Sequence, residues 1–267
     1  MSNANAAGDA PRGGSRLRST IFLSVGGLAF AAAGFLTAIY TTIPASLLGL
    51  NFLSDESSRH AFTPSSDQAR NIDSYIDTHP LTQELREDAG LTESRPHLKM
   101  PDAIKRQSLT AGTLSGPRKF DVPPYAWKDG NGKSLVSIIY IGPDLCGHPG
   151  VVHGGLLATM LDEGLASCCF AALPYKIGVT ANLNINYRSP ARAGTYFVLR
   201  AETTKVDGRK AWVEGRIETL ESDGKKPTII AEATGLFISP RNAGVSSRKK
   251  ASRMICAPVE TNRRSGD

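Results

Sequence analysis

Along this chain the hydrophobic and polar positions change rhythm several times, and each change marks a different kind of segment. From Ile21 to Tyr40 no charge appears, and about 20 apolar residues match the thickness of a bilayer core. This pattern predicts a transmembrane helix over residues 20–42. From 43 to 118 the chain turns polar and reads as a linker. Within it, residues 67–90 predict one or two short helices broken at Pro80, with an interrupted apolar stripe of Ile76, Leu81 and Leu85. Such a stripe suits a helical collar lying against a domain surface.

After Pro123-Pro124 the pattern becomes regular. Asp129-Gly130 and Asn131-Gly132 are tight-turn pairs, and 134–142 (SLVSIIYIG) is a strand rich in β-branched residues. A glycine-rich stretch, GHPGVVHGG (147–155), leads into a helix over 156–173 with apolar residues at 156, 157, 160, 161, 165, 168 and 169. An apolar arc that wide needs a sheet wrapped around it. In 180–187 the alternation puts Ala181, Leu183, Ile185 and Tyr187 on one face, and Thr180, Asn182, Asn184 and Asn186 on the other. Strands at 195–204, 210–220 and 228–238 follow, separated by Asp207-Gly208 and Asp223-Gly224. One strand, a buried helix and an antiparallel meander predict an α+β domain over 119–240, a long helix wrapped by a curled sheet. The free edges of such a sheet are protected when two protomers pair edge to edge.

Composition changes this picture at the ends. The 267 residues carry a formal charge of +6, yet residues 241–267 hold seven Lys/Arg against Glu260 and Asp267, and residues 1–19 hold three Arg against Asp9. The excess sits in the tails and the remainder is near neutral, which argues against a nucleic-acid-binding face. The arm 1–19 has the Arg/Ser/Ala-rich, acid-poor composition of a mitochondrial presequence placed ahead of an anchor. Pro11, Gly13 and Gly14 would spoil an amphipathic targeting helix, and a signal-anchor into another intracellular membrane is the alternative. The basic tail 241–267 reads as disordered. Cys146, Cys168, Cys169 and Cys256 show no zinc-ligand spacing, so no metal is expected.

Candidate chemistry gathers where the buried helix begins. His153-Gly154-Gly155 stands at a helix N-terminus, where unpaired N–H groups and the positive dipole end suit an oxyanion. Asp162, with Glu163 beside it, lies two turns on. A carboxylate in an apolar helix is costly to bury unless it works as a base or a nucleophile. The bland alternatives stand beside these. Asp162 or Glu163 could be the solvated side of a half-exposed helix, and the His153 ring could merely cap backbone groups.

HGGLLATMLDE, then TANLNINYRSP, then KVDGRKAWVEGRIETL and EATGLFI, in that order, resemble the hotdog-fold thioesterases, specifically the mammalian thioesterase-superfamily-member-4 type and its fungal mitochondrial relatives. The resemblance covers roughly 95–240. It implies a homodimer or dimer of dimers with the site at the dimer interface, hydrolysis of acyl-CoA thioesters, and no cofactor beyond the coenzyme A of the substrate. Asp162 then takes the base or nucleophile role, Gly155 N–H the oxyanion donor, and His153 orients the substrate region. Thr180 positions the nucleophilic water, with the partner subunit as one source of that threonine. Gly154, Asn186, Arg188, Lys205 and Arg209 match positions that handle coenzyme A. Glu163 departs from the mammalian pattern, which has a small residue there. Two other readings remain: a hotdog hydratase or dehydratase, and a non-catalytic acyl-CoA-binding scaffold at a membrane.

Overall fold

The computed structural model describes residues 52–221, 224 and 226–241. The expected arm at 1–19, the anchor at 20–42, and the tail beyond Arg241 with Cys256 lie outside the described residues.

Among the described residues nine strands form: β1 (Leu91–Ser94), β2 (Tyr125–Asp129), β3 (Ser134–Ile141), β4 (Cys146–His148), β5 (Val151–Val152), β6 (Val179–Tyr187), β7 (Thr195–Asp207), β8 (Lys210–Thr219) and β9 (Ile229–Ile238). Seven of them make one sheet in the order β1-β2-β3-β7-β8-β9-β6, antiparallel at every junction. The other two, β4 and β5, form a small separate hairpin. Three helices of two turns or more are α1 (Asp67–Thr78), α2 (Pro80–Glu87) and α3 (Gly154–Cys169).

The central helix α3 is long because nothing breaks it and because its apolar arc is satisfied on most sides. All seven apolar positions read from the sequence are buried, Leu161, Leu165 and Cys169 completely. The helix sits close on the sheet because glycines take the contact points. A Cβ on Gly164 would lie 2.6 Å from the Leu199 methyls, and one on Gly215 2.7 Å from Leu165. The core joins Leu157, Leu161 and Leu165 to Leu135, Phe197, Leu199, Val213, Ile217 and Phe237 from the inner face of the sheet.

The sheet is larger than the sequence pattern indicates. Leu91–Ser94 pairs with β2, although it lies in the stretch expected to be linker and carries only Leu91 as a strand-forming apolar residue. Backbone pairing to a neighbour, rather than hydrophobic alternation, makes it a strand. The two collar helices break at Pro80, which takes the first helical position of α2. They lie on the outer face of β2, β3 and β7, where Ala69, Ile72, Ile76 and Leu85 meet Tyr125, Trp127, Ile138, Tyr140 and Val198. Arg95, 1% exposed, fastens this layer. Its guanidinium stacks 3.7 Å over the Tyr125 ring, pairs with Asp73 at 3.0 Å and donates twice to the Pro123 carbonyl.

Candidate active site

Three elements converge on one side of α3: its own N-terminus, the strand β6 at the edge of the sheet, and the segment between β1 and β2, here called the strap.

At the N-terminus, His153 is the N-cap, and its Nδ1 accepts the Gly155 N–H at 2.9 Å. Only glycine fits under that ring, since a Cβ at 155 would lie 2.9 Å from His153 Cε1. The capping alternative for His153 is therefore what the structure shows, and the Gly155 N–H already has an acceptor. Tyr187, the last residue of β6, donates its hydroxyl to the Gly154 carbonyl at 2.9 Å and pins the helix start to the edge strand. Periodicity marks Tyr187 only as part of an apolar face; its polar tip was the signal for this role.

Asp162 is half-buried, and its Oδ1 accepts the Thr180 hydroxyl at 2.7 Å. Thr180 and Asp162 meet within one chain. The pair corrects one expectation: strict alternation places Thr180 opposite Leu183 and Ile185, whereas the structure brings all three to the inner face. The cause is a bulge: Thr180 pairs with Phe237 and Asn182 with Leu236, so Ala181 is an extra residue. It shifts the phase of the strand, turning Thr180 toward α3 while Asn182, Asn184 and Asn186 stay outside.

Glu163 has its own partner. The hydroxyl of Thr110, a buried strap residue, donates to Glu163 Oε1 at 3.0 Å. Glu163 is exposed as a residue, yet what packs against its carboxylate raises its pKa above the ordinary glutamate value, against the lowering effect of the Thr110 hydrogen bond, and the Asp162 charge raises it further. The two neighbouring carboxylates thus face different elements.

The residues expected to handle coenzyme A are not gathered in one cluster. Asn186 is exposed on the outer face of β6, level with Glu232, and Arg188 pairs with that Glu232 at 2.7 Å. Lys205 sits 4.9 Å over the Trp212 ring, in a shallow outer-face groove of about 530 Å³ that Asn182, Glu214 and Leu236 also line. Arg209 donates to the Ser239 carbonyl at 2.6 Å, an ordinary structural use of a guanidinium.

Seven residues separate Gly155 from Asp162, about 10 Å along the helix axis at 1.5 Å per residue. A donor to a carbonyl oxygen and a base on the attacking water must each lie about 3 Å from their atoms. Within one chain, Gly155 N–H and Asp162 therefore stand two turns of α3 apart.

Residues 149–224 match the family model described as the Thioesterase superfamily. An uncharacterised mitochondrial protein of Candida albicans is 32% identical over 66% of this chain and 76% of its own length. The UPF0644 protein PB2B4.06 of Schizosaccharomyces pombe is 35% identical over 64% of this chain and 66% of its own length, just under two thirds. The acyl-coenzyme A thioesterase THEM4 of Bos taurus is 37% identical over 42% of this chain, a stretch spanning 44% of that protein.

Proposed function

The chain belongs to the thioesterase superfamily, and from that premise we propose that it hydrolyses acyl-CoA thioesters to a free carboxylic acid and coenzyme A. The observation that carries this reading is the 2.7 Å contact between Thr180 and Asp162 on a half-buried wall of the central helix. In donating its proton to Oδ1, the threonine hydroxyl keeps its lone pairs free to hold a water, and Oδ2 is free to take that water's proton. The water oxygen adds to the thioester carbon, giving a tetrahedral oxyanion. The C–S bond then breaks, and the proton held by Asp162 passes to the leaving sulfur.

The oxyanion donor comes from a second copy. The two-turn separation of Gly155 from Asp162 on one helix favours a donor from a second chain, and β6 offers the means of bringing two chains together. Among the described residues it pairs with β9 on one side only, and Val179 and Tyr187 are 56% and 54% exposed along it. Pairing two β6 edges buries these residues and satisfies the free backbone groups. To take the oxyanion, Gly155 N–H must be released by, or shared with, the His153 ring. The cattle relative is named an acyl-coenzyme A thioesterase and the Candida relative is named mitochondrial. We place this chain in the mitochondrion on the same reading, with residues 20–42 as its anchor.

The test is thiol release from a panel of acyl-CoAs, short to long, by the purified full chain. Turnover in the wild type and its loss in Asp162→Asn, with the fold intact by circular dichroism, supports the reading. Binding of acyl-CoA without turnover at any chain length would overturn it in favour of a non-catalytic binding protein.

A further inference from the structure

The strap reaches across the chain to touch the central helix at the residue next to Asp162. This contact is built with care. Thr110 is 3% exposed and sits in a one-turn π-helix, Leu109–Thr113, whose start is capped by Ser108 accepting the Ala111 N–H at 3.2 Å. Gly112 packs so tightly on the Lys105 carbonyl that a side chain there would collide with it. A π-turn is costly relative to an α-turn and persists where it aims a side chain. Here it aims a hydroxyl at Glu163 Oε1, 3.0 Å away and 53 residues along the chain.

We propose that Glu163, held by Thr110, is a positioning residue for Asp162: the strap fixes a second carboxylate beside the reacting one, and its ionisation sets the acid side of the activity profile. This rests on the thioesterase reading of the site. The other elements packed on the helix leave that coupling undisturbed. The strands β3, β7, β8 and β9 present Leu135, Leu199, Val213 and Ala233 to it, β6 presents the Thr180 hydroxyl, and Lys128 of β2 is engaged one turn on, with Ser167 at 2.8 Å. Asp162 is the charged neighbour that acts on Glu163. When Glu163 loses its proton, it adds a negative charge next to the group that must accept the water's proton; while it keeps the proton, that charge is absent.

Two variants should therefore move the profile in opposite directions. Glu163→Gln keeps an acceptor for Thr110 but has no charge to lose, so the acid limb of kcat/KM becomes a single ionisation and moves down by roughly half to one pH unit. Thr110→Val removes the hydrogen bond that stabilises ionised Glu163, so the limb moves up by a similar amount. Thr110→Ser, which restores the hydroxyl, returns it. The experiment is the pH profile of thiol release from the best acyl-CoA of the panel, with thermal unfolding of each variant alongside. Opposed shifts, with serine rescue, support the proposal. Profiles that superimpose on wild type, or that fall in height without moving along the pH axis, overturn it and reduce the contact to packing. An inactive wild type would instead sink the thioesterase reading itself.

Discussion

The outer face of the sheet is two surfaces with opposite characters. Over β2, β3 and β7 it is covered by α1 and α2, and the two arginines at the seam are matched: Arg95 by Asp73 and the Pro123 carbonyl, Arg86 by Asp77 and Glu93. Over β8, β9 and β6 it is open, with Lys205 lying on Trp212 and a row of asparagines facing solvent. The first region resembles a domain core whose ion pairs are closed, with Trp127 Nε1 buried there without a hydrogen-bond partner. The second keeps cations and amides loosely held on the outer face of β8, β9 and β6, across the sheet from the Asp162–Thr180 pair. A buried charge is tolerable only when fully partnered, so the covered half should answer to mutation in stability and the open half in activity.

That division can be broken at several points. The largest effect should come from Asp162→Asn, which removes the proton acceptor and should lower kcat by about 1,000-fold or more, with the unfolding midpoint in urea barely changed. In the covered half, Arg95→Ala leaves Asp73 without its partner and the Tyr125 ring without its cation. It should cost about 3–5 kcal/mol in urea unfolding; a loss below about 1 kcal/mol would show the collar to be loosely attached.

The strap should also impose a pH dependence through His97. It is 9% exposed, and burial, then the Lys105 and Arg95 charges, bring its pKa down to about 4. An imidazole whose folded pKa lies below its unfolded value of about 6.5 is protonated first in the unfolded chain. Stability is therefore lost as pH falls from about 6.5 toward 4, by about 3 kcal/mol in all. Urea unfolding at several pH values should show that slope, and His97→Gln should flatten it. The smallest effect belongs to the open half: Lys205→Ala should raise KM for acyl-CoA by a factor of about 3–10, on the order of 1 kcal/mol, and leave stability unchanged. Equal losses of stability on the two sides would dissolve the comparison.

Much of this architecture is written in the residue pattern. The helical arc from Leu156 to Cys169 and the five strands from Ser134 to Ile238 follow from periodicity, because there burial decides which side each residue faces. Elements held by other forces are not written there. Leu91–Ser94 becomes a strand through backbone bonds that any sequence can make. The short hairpin β4–β5 hides inside a glycine-rich stretch. The collar stripe is visible, but no pattern says which surface it covers. At the site, HGG and Asp162 are legible as a motif, whereas the Thr110–Glu163 contact joins segments 53 residues apart and leaves no local trace. Thr180 was found by resemblance and misplaced by alternation, because a bulge is invisible to a period of two.

The bulge at Ala181 makes the site sensitive to counting rather than to chemistry. Side chains at 181 are exposed, so replacing Ala181 by serine or valine changes little that matters to Asp162. Deleting it is another matter. With one residue fewer, the strand regains strict parity, and either Thr180 turns out to solvent or the Leu183–Tyr187 face turns away from the helix. A single-codon loss at a position whose identity is nearly free would thus silence the site, while most substitutions there would pass unnoticed.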